Sequence, residues 1–149
     1  MQPLQRFSLE KHSGPYEKWP ARTRVIVDGV PHPTLAIPGY DLLRQYQTDL
    51  GFVLITEYDC PFEEAVSITL VAPDLSRVIS TGTIGAAYYT FWLDEVEWID
   101  AEHFRLTCEG TDGDWLVTLR ARHIPWLSPA VFIKRRAVPP VESVQRVVE

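Results

Sequence analysis

The chain has 149 residues, 46% of them hydrophobic, 23% charged and 11% aromatic, and a formal net charge of −6. That length suits one domain able to bury a core without disulfide or metal staples. The acidic balance excludes a general nucleic-acid binder, which needs clustered Lys and Arg, and no run approaches the ~20 apolar residues of a membrane-spanning helix.

Residues 1–38 hold six of the twelve prolines: Pro3, Pro15, Pro20, Pro31, Pro33 and Pro38. Proline fixes φ and removes a ladder donor, so this stretch is expected to be mostly extended coil or edge structure. One strand fits within it, Thr23-Arg24-Val25-Ile26-Val27, ahead of the turn dipeptide Asp28-Gly29. Tyr40 to Leu50 is ambiguous. Leu42, Leu43, Tyr46 and Leu50 have helical spacing, with Asp41 to cap and Gly51 to terminate, so one short helix near 41–50 is possible. The same residues also read as a strand running into a hairpin turn, Thr48-Asp49-Leu50-Gly51, and the turn chemistry favours that alternative.

Phe52-Val53-Leu54-Ile55-Thr56 is a dense apolar run of strand formers. Val66, Ile68 and Leu70 alternate with Ser67 and Thr69, the period of a half-buried strand. Pro73-Asp74-Leu75-Ser76 reads as a turn and Arg77-Val78-Ile79-Ser80 as the return. Small Gly85-Ala86-Ala87 leads into the aromatic run Tyr88-Tyr89-Thr90-Phe91-Trp92. Phe104, Leu106 and Cys108 alternate with polar residues, Gly110 to Asp114 turns, and Trp115, Val117 and Leu119 alternate on the way back. Val131-Phe132-Ile133 is the last candidate strand.

The fold class expected is therefore all-β with little helix, mainly an antiparallel meander closing as a small sandwich, open barrel or twisted sheet. The hairpins at 70–80 and 98–120 resemble propeller-blade strands in style, but a propeller needs at least four blades of ~40 residues, which this length excludes. The domain organisation expected is a proline-rich extension (1–38) packing on an antiparallel body (39–138), with a short tail (139–149).

The charge is segregated along the chain. Glu57 to Asp114 holds thirteen acids and two bases, net −11, whereas the segments before and after it carry +1 and +4. Such a segment can steer a basic partner, or can be solvated strand and turn positions neutralised across strands by the basic flanks. Its most unusual stretch is Glu57-Tyr58-Asp59-Cys60-Pro61-Phe62-Glu63-Glu64. Four carboxylates about a proline can hold a hard cation or supply an acid and a base, but no ligand spacing or wrapping glycine accompanies them. Asp112-Gly113-Asp114 lacks the remaining ligands of a calcium loop and reads as a turn. No metal or cofactor is expected.

Nothing carries a catalytic signature. His12, His32, His103 and His123 show no HxH or HExxH spacing, nothing local activates Cys60 or Cys108, and no serine sits in a strand-to-helix elbow. Two cysteines make no disulfide framework, and Met1 to Phe7 lacks a secretory h-region, so a cytoplasmic protein with reduced thiols is expected. The aromatics Tyr88, Tyr89, Trp92, Trp98, Trp115 and Trp126 either fill the core or form a recognition surface, and adjacent Phe91 and Trp92 must face opposite sides of a strand. Lys134-Arg135-Arg136 reads as a solvated strand end.

These features favour a small non-enzymatic protein that contacts a basic protein partner through an acidic, aromatic-bearing face. Inhibitors or immunity-type proteins for basic toxins use the same logic, a fold-independent analogy. The residues expected at that face are Glu57, Asp59, Glu63, Glu64, Asp94, Glu95, Glu97, Tyr88, Tyr89 and Trp92. The alternative is a small-ligand or metal-binding protein, or a minor enzyme, with a pocket lined by Trp92, Trp98, Trp115, His103 and carboxylates. A homo-oligomer joined at an exposed strand edge is a further possibility.

Overall fold

The computed structural model describes residues 1–58, 65–85, 92–109, 113–124 and 127–136. Its strands are β1 (Gln2–Pro3), β2 (Phe7–Leu9), β3 (Arg22–Val27), β4 (Val30–Pro38), β5 (Asp41–Thr48), β6 (Gly51–Glu57), β7 (Val66–Val71), β8 (Val78–Ile84), β9 (Trp92–Trp98), β10 (His103–Glu109), β11 (Asp114–Leu119) and β12 (Val131–Arg136). The only helical element among the described residues is a 3-10 turn at Tyr16–Lys18. The fold is all-β and antiparallel, as the alternating patterns require, and none of its sheets closes into a barrel.

Three sheets form, in the orders β1-β5-β6-β7-β8, β12-β11-β10-β9 and β2-β3-β4. The first is sandwiched between the other two. One of its faces presents Val53, Ile55, Val66, Ile68, Leu70 and Ile84 to Phe104, Leu106, Trp115, Val117 and Leu119 of the four-stranded sheet. Its other face presents Phe52, Leu54 and Val71 to Phe7, Val25, Leu35 and Ile37 of the three-stranded sheet. The central strands β6 and β7 are consequently buried on both sides. For β6 the unbroken apolar run 52–55 is the signature of such a strand.

For β7 the outcome differs from the half-buried strand its alternation predicts. Ser67 and Thr69, 1% and 0% exposed, lie beneath the three-stranded layer. The hydroxyls of Ser67 and Thr69 stand 3.2 and 3.4 Å from those of Thr83 and Thr81 on β8. Paired hydroxyls can be buried at little cost, so Ser/Thr alternation does not mark a wet face here.

Residues 1–38 are coil and edge strand, as the prolines suggest, but hold more than the one strand expected. They supply four strands, including all of the three-stranded sheet, and β1, β2 and β4 lie at sheet edges. Pro31, Pro33 and Pro38 lie on β4, an edge strand of that sheet, where a missing donor costs little. Between the pairs Arg24↔Ala36 and Ile26↔Pro31 the register breaks, and His32 Nδ1 accepts the Leu35 and Thr34 N–H groups at 2.9 and 3.2 Å. An imidazole thus replaces the ladder that the prolines interrupt.

The helix considered for 41–50 does not form. Thr48 pairs with Gly51 across a two-residue loop, the hairpin alternative. The Thr48 hydroxyl donates to the Gly51 carbonyl at 2.9 Å and accepts from the Leu50 N–H at 3.2 Å. Gly51 has φ +138, and a Cβ there would strike the Val71 carbonyl of β7, so the turn requires glycine. The turn at 73–76 also forms, with the Asp74 carboxylate accepting the Ser76 N–H at 3.0 Å. The tail from 139 lies outside the described residues.

Candidate functional site

Alternation assigns each side chain of the four-stranded sheet to a face. Phe104, Leu106 and Cys108 point inward, so His103, Arg105, Thr107 and Glu109 point outward. Following the pairings, the outer face also carries Trp92, Glu95 and Glu97 on β9, Asp114, Leu116 and Thr118 on β11, and Phe132, Lys134 and Arg136 on β12. Asp94 occupies the bulge where the β9–β10 register shifts, and it is exposed. The face grades from acidic at β9 to basic at β12.

Much of the acid along this segment is engaged locally. Arg105 pairs with Glu97 and, at 3.4 Å, with Asp114. Asp114 in turn accepts two hydrogen bonds from Arg136, at 2.9 and 3.0 Å. The hydrogen bonds and charge of the Arg136 guanidinium hold the Asp114 carboxyl below the usual range. Asp100 caps the β9–β10 turn, accepting the Glu102 N–H and bonding His103 Nδ1, both at 2.8 Å. Those backbone and imidazole bonds lower its pKa. Asp74 does the same work in its own turn on the central sheet, where the Ser76 bonds lower its pKa.

What is left over is smaller and better defined than a −11 segment. Asp94, Glu95, Glu102 and Glu109 take part in no ion pair among the described residues, and of these only Glu102 lies apart, in the β9–β10 turn. Glu109 stands directly across from Trp92, which is 52% exposed. Trp92, Asp94, Glu95 and Glu109 therefore gather at one end of β9 and β10, with Glu97 next along the outer face. Of the residues expected at the interface, Asp94, Glu95, Glu97 and Trp92 share this strand. Glu57 does not join them: it ends β6 in the central sheet, opposite Asp41 and Val66. Asp59, Glu63, Glu64, Tyr88 and Tyr89 lie outside the described residues, as do Cys60 and Trp126. Glu109 was not singled out by sequence, although the β10 alternation places it outward.

The four residues considered for a pocket do not converge. Trp98 packs inward against Tyr46 and Phe104, at ring-centroid separations of 5.3 and 4.6 Å, and Trp115 is 7% exposed in the same core. Trp92 and His103 are on the opposite face. The Cys108 thiol lies in the core, its pKa pushed up to about 11 by burial and by the charge of Asp94. Raising a thiol pKa suppresses the thiolate, so Cys108 has no nucleophile's environment. Among the described residues no group of three or more His, Cys, Asp or Glu is placed to hold a metal ion. None of their helices is long and apolar enough to cross a membrane.

A second aromatic group, not anticipated from sequence, fastens the N-terminal segment. Trp19, Tyr40 and Tyr58 stack edge to face at 5.1 and 5.0 Å, and His12 joins at 5.3 Å from Trp19. The Tyr40 and Tyr58 hydroxyls donate to the carbonyls of Pro20 and Ala21 at 3.2 and 2.9 Å. These bonds hold the chain's own proline-containing stretch and present no open site.

No protein-family model, no curated protein and no solved structure matches this chain.

Proposed function

We propose that this protein is a small non-enzymatic interaction module that receives a basic protein partner on the outer face of β9 and β10. The observation that carries it is an exposed Trp92 flanked by three carboxylates, Asp94, Glu95 and Glu109, which have no cation partner among the described residues. Large aromatics dominate binding energy when a partner covers them, and charges around them set approach rate and specificity. The ion pairs of Arg105 and Arg136 with Glu97 and Asp114 cancel those two carboxylates locally, which leaves the unbalanced negative charge of the face at its β9 end. An inhibitor or immunity-type role toward a basic protein is the form of this activity that the charge favours.

The test compares wild type with Trp92→Ala and Glu95→Gln as baits at low and high salt. Wild type should retain a basic protein at low salt, and both variants should lose it without losing their own folded spectra. A retained protein that is acidic, or that both variants still hold, overturns the proposal.

A further inference from the structure

β9 and β12 are the two outer strands of the four-stranded sheet among the described residues. An edge strand presents a row of backbone groups ready to pair. The charges beside these two edges are opposite: Asp94, Glu95 and Glu97 on β9, Lys134, Arg135 and Arg136 on β12. The register makes them complementary residue by residue. Pairings across the sheet put Glu97, Arg105, Leu116 and Lys134 in one row, and Glu95, Thr107, Asp114 and Arg136 in the next.

We infer that a second copy of this chain is the partner for which these edges are built, β9 of one copy pairing antiparallel with β12 of the next. Successive strands of the sheet alternate in direction, so a copy placed side by side presents its β12 antiparallel to β9 without being turned over. Continuing the rows across that junction sets Glu97 opposite the neighbour's Lys134 and Glu95 opposite its Arg136. Opposite charges directly across strands are the favourable cross-strand pair.

The backbone phase agrees with the same register. The Ile99 N–H bonds the His103 carbonyl at 2.9 Å, so residue 99 faces β10, and Trp98 and Val96 turn their backbone groups to the open edge. On β12 the Val131 N–H turns away from β11 and reaches Ser80 Oγ at 3.2 Å, so Ile133 and Arg135 also face outward. In the unshifted register Trp98 meets Ile133 and Val96 meets Arg135, so outward groups meet outward groups. A shift by one residue would lose both the hydrogen bonds and the charge pairs.

The same charges reject the other arrangements. Two β9 edges would bring Glu95 and Glu97 against their like, and two β12 edges would do so with Lys134 and Arg136. Joining unlike edges gives a head-to-tail contact, which grows with concentration rather than stopping at a dimer. Glu95 and Lys134 take part in no ion pair among the described residues, which leaves them to pair across the junction. This inference uses the acidic edge of the proposed function but assigns it a different occupant.

Sedimentation velocity of the full chain tests it. At low salt the mean mass should rise with protein concentration, and raising NaCl to ~0.5 M should weaken association about tenfold or more. Glu95→Lys and Lys134→Glu, both at exposed positions, should each sediment as monomers. Mixed, they should form a heterodimer, because the intact β9 of one meets the intact β12 of the other, and growth should stop there. A monomeric wild type at every concentration, association unaffected by either variant, or a mixture that stays monomeric overturns the inference. A monomer that still retains a basic protein through Trp92 overturns this inference while leaving the proposed function standing.

Discussion

Gly82 on β8 faces Val131 and Ile133 of β12, and replacing it tests how tightly that layer is packed. A Cβ at position 82 would lie 2.6 Å from Ile133 Cδ1 and 3.2 Å from both Ile133 Cγ1 and Val131 Cγ1. Ordinary contact begins near 3.4 Å, so the end of the Ile133 side chain must swing aside and the two Cγ1 contacts must give by a few tenths of an ångström. Overpacking of this kind costs about 1–3 kcal/mol, from which ~0.4–1 kcal/mol is offset because alanine restricts the unfolded chain. Gly82→Ala should therefore lose about 0.5–2 kcal/mol, which at a slope of ~2 kcal/mol/M lowers the urea midpoint by about 0.3–1 M. Ile133→Val removes the closest atom and alone costs about 0.5–1.5 kcal/mol. In the double variant the clash and the lost methyl compensate, so the combined loss should fall short of the sum by at least ~0.5 kcal/mol. Urea unfolding followed by tryptophan fluorescence gives all four corners of the cycle. Strict additivity, or a Gly82→Ala variant as stable as wild type, would refute the packing assigned to this layer.

Asp114→Asn should cost on the order of 1 kcal/mol at neutral pH, since both bonds to Arg136 lose their charge. Because the folded Asp114 pKa is depressed, its contribution is present above the unfolded carboxyl pKa and lost as pH falls through the folded one. The difference between wild type and Asp114→Asn should hence shrink below about pH 4 in acid unfolding curves. Cys108, studied in a Cys60→Ser chain, should react with iodoacetamide at pH 8 at least ~100-fold more slowly folded than in denaturant, the thiolate deficit of a thiol held at about 11. Thr56→Val should destabilise by about 1–3 kcal/mol, because the buried hydroxyl donates to the Pro38 carbonyl at 2.6 Å and that acceptor would be orphaned. Thr83→Val should cost about 1 kcal/mol or more by the same measurement, although Thr83 itself is exposed, because it leaves the buried Ser67 hydroxyl without its partner.

The sequence displayed the strands of the body because each carried either strict alternation or an unbroken apolar run. Val66 to Leu70, Phe104 to Cys108 and Trp115 to Leu119 are examples, and the turn chemistry of Thr48 to Gly51 settled a segment whose hydrophobic spacing was ambiguous. The third layer was legible only in its middle strand, where the expected strand Thr23 to Val27 and turn Asp28-Gly29 are found as β3 and its turn into β4. Its strand β4 carries prolines tolerated only because one edge is open, and a histidine ring supplies the acceptor missing from its broken ladder. The expected interface was legible in part. Counting charge along the chain identified β9, but the count merges residues that pairing separates. Glu97 and Asp114 are consumed by arginines two strands apart, Glu57 belongs to another sheet, and Glu109 meets Trp92 only through the β9–β10 register.

The doubly covered β6 and β7 have a consequence for how the chain comes off the ribosome. The layer that must cover Phe52, Leu54 and Val71 is built from the first 38 residues, so it emerges before the surface it will cover exists. Until β5 to β7 follow, Phe7, Val25, Leu35 and Ile37 have nothing to dock on, and the apolar face of that layer stays open to water. Once the central sheet has formed, any delay in docking leaves an apolar face and unpaired strand edges open to other nascent chains. Deleting the N-terminal segment would expose that face permanently, and the expected product is an aggregate rather than a smaller folded protein.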